Sequence, residues 1–316
     1  MLVDVLLLVA GIALLYFGGE ALVDGAAGLA RRLGMSTLVI GLTVVAFGTS
    51  APELAATLTA TFDGAPDLGL GNVVGSNIAN IGLILGLSAL FLPLHTTRRF
   101  ILRELPFMVG CSALLVPIIA NDLIGRSEGF ALLGLLLAYL ATMYLTGRVE
   151  PVESDGEDDD ATTTTGRAVG FVVLGSALLV AGAKLLVTGG VGIAVLLGVS
   201  ERVIGLTMVA FGTSLPELAS SIAAARRGES DLVLGNVVGS NVFNVLCILG
   251  VTASVIPMEV AGSEAMYDVW AMLALSILVP LLLWKGRRMG RAEGVGLLLV
   301  WAVWIATLAV RMPAAP

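Results

Sequence analysis

Two glutamates stand in nearly identical settings. Glu53 closes the run Gly41-Leu-Thr-Val-Val-Ala-Phe-Gly-Thr-Ser-Ala-Pro-Glu53, and Glu217 closes Gly205-Leu-Thr-Met-Val-Ala-Phe-Gly-Thr-Ser-Leu-Pro-Glu217. Thr49 precedes Glu53 by four residues, and Ala46, Ser50 and Glu53 follow a three-to-four spacing, so on a helix their oxygens share one side. Ala210, Thr213, Ser214 and Glu217 repeat the arrangement. Pro52 has no N–H to donate, and with Gly48 it interrupts the helix, which makes the carbonyls around Ala46 to Gly48 candidate ligands. Carboxylate, hydroxyl and carbonyl oxygens are hard donors, suited to Na+ or Ca2+ and poorly suited to Zn2+ or Cu2+.

A second motif also occurs twice: Gly71-Asn-Val-Val-Gly-Ser-Asn-Ile-Ala-Asn80 and Gly235-Asn-Val-Val-Gly-Ser-Asn-Val-Phe-Asn244. Asn72, Ser76 and Asn80 stand four apart and form a polar stripe on one helical face, as do Asn236, Ser240 and Asn244. Asn77 and Asn241 are the remaining amides. Gly71 and Gly75, with their copies, permit close approach to a neighbouring helix. Interhelical hydrogen bonding without ions is the competing reading, strongest for Asn72/Asn236 and Asn77/Asn241.

The elements that must position these residues are transmembrane helices. Of 316 residues 57% are hydrophobic and only 13% charged, and the mean hydropathy is +0.99. Long continuous apolar runs favour helices over barrel strands, because lipid-exposed backbone must satisfy its own hydrogen bonds. At about 20 residues per span, ten candidate spans emerge, at roughly 2–23, 36–62, 68–92, 103–120, 127–146, 167–189, 200–225, 232–256, 266–285 and 292–311. The first is read as a span and not a secretory signal, since Asp4 occupies the place of a basic n-region.

Every match between the motifs is displaced by the same 164 positions, and about three-fifths of the aligned pairs from Leu33/Leu197 to Leu87/Val251 are identical. The chain thus divides into residues 1–146, a linker at 147–166, and residues 167–316. Five spans per half is odd, so the second half enters from the opposite side, and the fold expected is an all-α membrane protein built from two inverted five-helix repeats. The linker, with Glu150, Glu153, Asp155 and Glu157-Asp-Asp-Asp160, is a solvated acidic hinge that lacks the ligand order of an EF-hand. Arg31/Arg32, Arg98/Arg99/Arg103, Arg148/Arg167, Arg226/Arg227 and Lys285/Arg287/Arg288/Arg291 fall on one side of the ten-span layout. Only Arg126, Arg202 and Arg311 fall on the other. This places both termini outside and the linker in the cytoplasm.

Two ionised glutamates at the midplane are costly and repel each other. One divalent cation neutralises both, and so do two or three monovalent ones. A charge pair satisfied by either set but not by both together is the physical basis of competitive exchange.

On these residues the chain resembles the calcium/cation antiporter superfamily, and within it the prokaryotic sodium/calcium exchangers, whose paired α-repeats its two motifs match. The resemblance covers essentially the whole chain. It implies that Glu53 and Glu217, with Thr49 and Thr213, coordinate Ca2+. It implies that the carbonyls of Ala46 and Ala210, with Ser50, Ser214, Ser76 and Ser240, complete flanking Na+ sites, and that Asn80 and Asn244 border a middle position. It further implies electrogenic exchange of three Na+ for one Ca2+ by sliding of the first and sixth spans. Some relatives carry Asp where this chain has Asn244, and its absence argues against K+ co-transport.

Alternatives come from three classes. A Ca2+/H+ antiporter would use the same glutamates, and a cation channel similar oxygens. An intramembrane protease lacks support, since the one histidine, His95, lies near a helix end. No Walker motif implicates ATP, and neither a cofactor nor a nucleic-acid partner is expected beyond the ions and the bilayer. Lys184 is the sole base inside a predicted span and could not neutralise both carboxylates. Cys111 and Cys247 read as small apolar residues, and Trp270, Trp284, Trp301 and Trp304 as interface anchors or lipid contacts.

Overall fold

The structure is a computed structural model describing residues 1–146, 164–197, 212–284 and 286–311. Its helices are α1 (Leu2–Leu33), α2 (Thr37–Thr49), α3 (Ala51–Phe62), α4 (Pro66–Phe91), α5 (Phe100–Ile119), α6 (Arg126–Thr146), α7 (Thr165–Leu196), α8 (Leu215–Arg226), α9 (Ser230–Val255), α10 (Gly262–Trp284) and α11 (Arg291–Arg311). Among the described residues, eight helices are long and apolar enough to span a membrane. The bent pair α2–α3 makes nine. Most of the linker and the segment before Gly212, including Ala210, lie outside the described residues.

The first and sixth spans are longer than hydropathy indicates. Hydropathy ends the first near residue 23, but α1 continues to Leu33, where Gly34 takes a left-handed conformation (φ 62°) and donates its N–H to the Ala30 carbonyl. The extra turns persist because they are packed and paired: Ala26, Leu29 and Ala30 are buried, and Asp24 binds Arg227. α7 likewise runs to Leu196. At 32 residues each, these helices measure about 48 Å, well beyond a ~30 Å hydrocarbon core, so they tilt or project.

α1 and α7 lie backbone to backbone. A Cβ on Gly11 would come within 2.7 Å of the Leu186 nitrogen, and one on Gly175 within 2.5 Å of the Leu22 nitrogen. Only glycine permits that approach.

α2 and α3 meet at a 44° bend. Ser50 is the hinge, and Pro52, in the first turn of α3, denies the Gly48 carbonyl its usual donor. The bend falls where the sequence expects it, with one difference. The Ala46 carbonyl is not released, because it accepts the Ser50 N–H at 3.0 Å. The helix holds through Thr49 before it breaks, and with the Thr49 hydroxyl also 3.4 Å away that oxygen keeps at most its second lone pair for a ligand.

α4 and α9 form the centre. Their most apolar windows are 78% and 94% buried, against 11–39% for the other single helices. Each widens into a π-helical turn, at Asn80–Leu85 and Asn244–Leu249, so the asparagines closing the two second motifs both begin an irregular turn.

Short antiparallel strands tie the loops. β1 (Leu94–His95) pairs with β4 (Arg288–Met289), and β2 (Leu123–Ile124) with β3 (Met258–Glu259). A shift of 164 carries β1 onto β3 and β2 to within one residue of β4, so the two pairings exchange. Ser112 and Ser276, also 164 apart, face one another with 2.9 Å between hydroxyl oxygens.

Lys184 is exposed on α7 and joins no ion pair with a described residue, so it offers the buried glutamates no counter-charge. Trp270 and Trp284 are exposed, as lipid contacts would be. The other two tryptophans turn inward. Trp301 packs against Gly82 of α4, and the Trp304 indole N–H donates to Asp268 at 3.0 Å.

Candidate ion-binding site

The bend at Ser50 and the start of α8 at Leu215 bring both glutamates, each 1% exposed, against the polar stripes of α4 and α9. The Ser50 hydroxyl donates to Glu217 Oε1 at 3.0 Å, and the Ser214 hydroxyl donates to Glu53 Oε1 at 3.3 Å. Each half therefore holds the other half's carboxylate. The Ser214 hydroxyl also lies 3.3 Å from the Ser76 hydroxyl.

The asparagines repeat the exchange. Asn80 Nδ2 donates to Asn241 Oδ1 at 3.1 Å, and Asn244 Nδ2 donates to Asn77 Oδ1 at 2.9 Å. Asn77 and Asn241 also approach the sulfurs of Met272 and Met108. Asn72 Nδ2 donates to the Glu53 carbonyl at 3.2 Å and to Thr57 Oγ1 at 3.0 Å, while Asn236 Nδ2 reaches the Glu217 carbonyl, Ser220 and Ser221. Interhelical bonding at these six amides is thus present: Asn72 and Asn236 fasten the helices that carry the glutamates, and the other four tie α4 to α9. Their partners Thr57, Ser220, Ser221, Met108 and Met272 are not evident from the two motifs. The 164-residue offset was the available signal, since it pairs Thr57 with Ser221 and Met108 with Met272.

What remains after this bonding is a set of oxygens. Glu53 Oε2, Glu217 Oε2, Asn80 Oδ1, Asn244 Oδ1 and the Ser240 hydroxyl are buried and have no hydrogen-bond partner among the described residues. A buried acceptor left unmet costs about 1–3 kcal/mol, more for a charged group. Four buried acceptors, two of them carboxylate oxygens, form a donor set that suits a cation. Thr49 Oγ1 is directed to the Val45 carbonyl at 3.1 Å and to Asn236 Oδ1 at 3.3 Å, and Thr213 Oγ1 to Asn72 Oδ1 at 3.4 Å. Their hydroxyls donate to protein and leave only lone pairs for an ion. Ala46 is fully buried, its carbonyl oxygen 3.4 Å from Thr49 Oγ1.

The two approaches to the site differ. Thr49 and Asn236 are at most 1% exposed, whereas their counterparts Thr213 and Asn72 are only half-buried.

Comparison with known proteins bears on what such a site carries. The family described as sodium/calcium exchanger protein matches over residues 3–145 and 167–310. The chain belongs to the sodium/calcium exchanger family. Within or near it, CaxA of Alkalimonas amylolytica is 39% identical, covering 95% of this chain and 97% of its own. The sodium/calcium exchanger MaX1 of Methanosarcina acetivorans is 33% identical, covering 97% and 98%. The sodium-calcium exchanger NCX_Mj, soaked with 10 mM Na+ and zero Ca2+, superposes with a TM-score of 0.85 at 33% identity, over 97% of this chain and 99% of that one. Membership makes this an integral membrane transporter and not an intramembrane protease.

Proposed function

We propose that this member of the exchanger family moves Ca2+ against Na+ by alternating access, electrogenically, at one site between its halves. The observation that carries the reading is the pair of buried carboxylates whose Oε2 atoms, like Asn80 Oδ1 and Asn244 Oδ1, have no hydrogen-bond partner among the described residues. Glu53 and Glu217, with Thr49 and Thr213, hold Ca2+. Ser50, Ser214, Ser76 and Ser240, with the carbonyls of Ala46 and Ala210, hold Na+ on either side, and Asn80 and Asn244 border the middle. With amides at both 80 and 244, two negative charges balance whichever cations are carried.

The architecture proposed is ten spans in two inverted repeats, residues 1–146 and 167–316, joined by a cytoplasmic linker, with both termini outside. The exchanged strand pairings, the Ser112/Ser276 contact and the crossed serine–glutamate bonds support a pseudo-twofold relation. In this layout β1 and β4 both fall in cytoplasmic loops, and β2 and β3 in external ones. The match of the family to two stretches of similar length agrees with a duplication.

Alternating access draws support from asymmetry. On the cytoplasmic end, Arg227 binds Glu20 and Asp24, and α1 packs on α8 closely enough that a Cβ on Gly19 would lie 3.1 Å from the Ala219 carbonyl. The counterparts of Glu20 and Arg227 are Lys184 and Asp63, an oppositely charged pair of reversed polarity. Both are exposed, and neither is ion-paired with a described residue. Together with the half-buried Thr213 and Asn72, this fits a conformation shut inside and accessible outside. Sliding of α1 and α7 would exchange one ion pair for the other.

The test is Ca2+ uptake into proteoliposomes under an imposed Na+ or pH gradient, each with and without a protonophore. Uptake that follows the Na+ gradient and moves net charge is the expected result. Uptake that follows a pH gradient and ignores Na+ would make it a Ca2+/H+ antiporter, and conductance without counter-ion coupling would make it a channel.

A further inference from the structure

Away from the central site, a cavity of about 180 Å3 lies between α5 and α6, lined by Arg103, Glu104, Tyr139 and Thr142 at one end and by Phe107 and Leu135 at the other. Among the described residues, three buried polar atoms there have no hydrogen-bond partner: Arg103 Nη2, Glu104 Oε2 and the Tyr139 hydroxyl. Glu104 and Tyr139 are each 5% exposed. Arg103 Nε lies 3.6 Å from Glu104 Oε1, too far for a hydrogen bond, and the Tyr139 ring is fixed by stacking on Phe107 at 4.5 Å.

The matching position in the other half shows what a satisfied version looks like. Asp268 stands 164 residues after Glu104, and it accepts from the Trp304 indole at 3.0 Å and from Arg311 at 3.3 Å. There the chain supplies the partners itself; at Glu104 it leaves a chamber.

The chamber's chemistry selects its occupant. A bare anion is repelled by Glu104 and a bare cation by Arg103. A group joining a phosphate to a primary ammonium complements all three atoms, with the phosphate on Arg103 and Tyr139 and the ammonium N–H on Glu104. The chamber lies about one helical turn from the start of α5 and the end of α6, at the level where headgroups meet the hydrocarbon. Leu135 and Thr142 are exposed along its mouth, so it opens sideways to lipid. We infer that this cavity binds the headgroup of an ethanolamine phospholipid, with an acyl chain leaving past Leu135. A choline lipid lacks the N–H that Glu104 requires.

The test is lipid binding to the purified full-length protein in detergent, measured by native mass spectrometry with phosphatidylethanolamine, phosphatidylcholine, phosphatidylglycerol and soluble phosphoethanolamine. Phosphatidylethanolamine should be retained about tenfold more tightly than either other lipid. Glu104→Gln should erase its advantage over phosphatidylcholine, and Tyr139→Phe, which keeps the ring stack, should weaken it several-fold. Equal retention of the three lipids by the unaltered protein would overturn the inference, and so would an undiminished preference in Glu104→Gln. Soluble phosphoethanolamine binding as tightly as the lipid would overturn the lipid as its source.

Discussion

Ser50 donates a hydrogen bond to Glu217 Oε1 at 3.0 Å although the two residues are 167 positions apart. The bond crosses from one half of the chain to the other, and Ser214 returns it to Glu53. Each carboxylate is thus oriented by the hinge serine of the opposite motif. That leaves Oε2 of both glutamates turned from protein donors and available to a cation.

Neutralising either glutamate should therefore disable the site. Glu53→Gln and Glu217→Gln are each expected to cut Ca2+ flux by about a hundredfold or more, since losing one charged partner of a buried ionic cluster costs about 3–5 kcal/mol. Flux assays on protein reconstituted at equal density are the check, and near-normal transport in either variant would refute the assignment.

The serines should matter less, and equally. Ser50→Ala and Ser214→Ala each remove one hydrogen bond to a charged group, about 1.5–3 kcal/mol, so apparent Ca2+ or Na+ affinity should fall by roughly tenfold to somewhat over a hundredfold. If one serine proved indispensable and the other silent, the crossed arrangement would not be functional.

Asn244→Asp adds a third carboxylate beside the two already buried. The expected outcome is a changed Na+ or K+ dependence, read from flux as each cation is varied. Unaltered cation dependence would place residue 244 outside the ion path.

Arg227→Gln should loosen the closed end. The Arg227 cluster is about one-third exposed, and such pairs are worth about 1 kcal/mol or less each. A several-fold rise in cytoplasmic thiol labelling of Ala223→Cys, in a background with Cys111 and Cys247 replaced, is the expected signature. Unchanged labelling would deny the ion pair a part in closure.

Gly11→Val should destabilise the α1–α7 pair, because the new side chain meets backbone at 2.7 Å. Overpacking of this kind costs about 1–3 kcal/mol. A lowered unfolding temperature in detergent would register it.

Much of this protein is determined by sequence alone. Apolar runs of spanning length, a constant 164-residue offset and the pairing of hard oxygen donors in both motifs are local or periodic properties, and they lead to helices, duplication and a candidate cation site without coordinates. The ends of α1 and α7 were not legible that way. Hydropathy stops at charged residues, whereas Asp24 is held by Arg227, a partner more than two hundred residues distant. Nor could spacing say which oxygens stay unbonded. Ala46 and Thr49 look free in the motif, but the Ala46 carbonyl already accepts the Ser50 N–H and the Thr49 hydroxyl proton is taken up by protein, so each has only lone pairs left to offer. That Glu53 is steadied by Ser214 and not by its neighbour Ser50 depends on how two bent helices cross. Such partners are selected by packing in three dimensions, where residues remote in the chain compete for the same few ångströms.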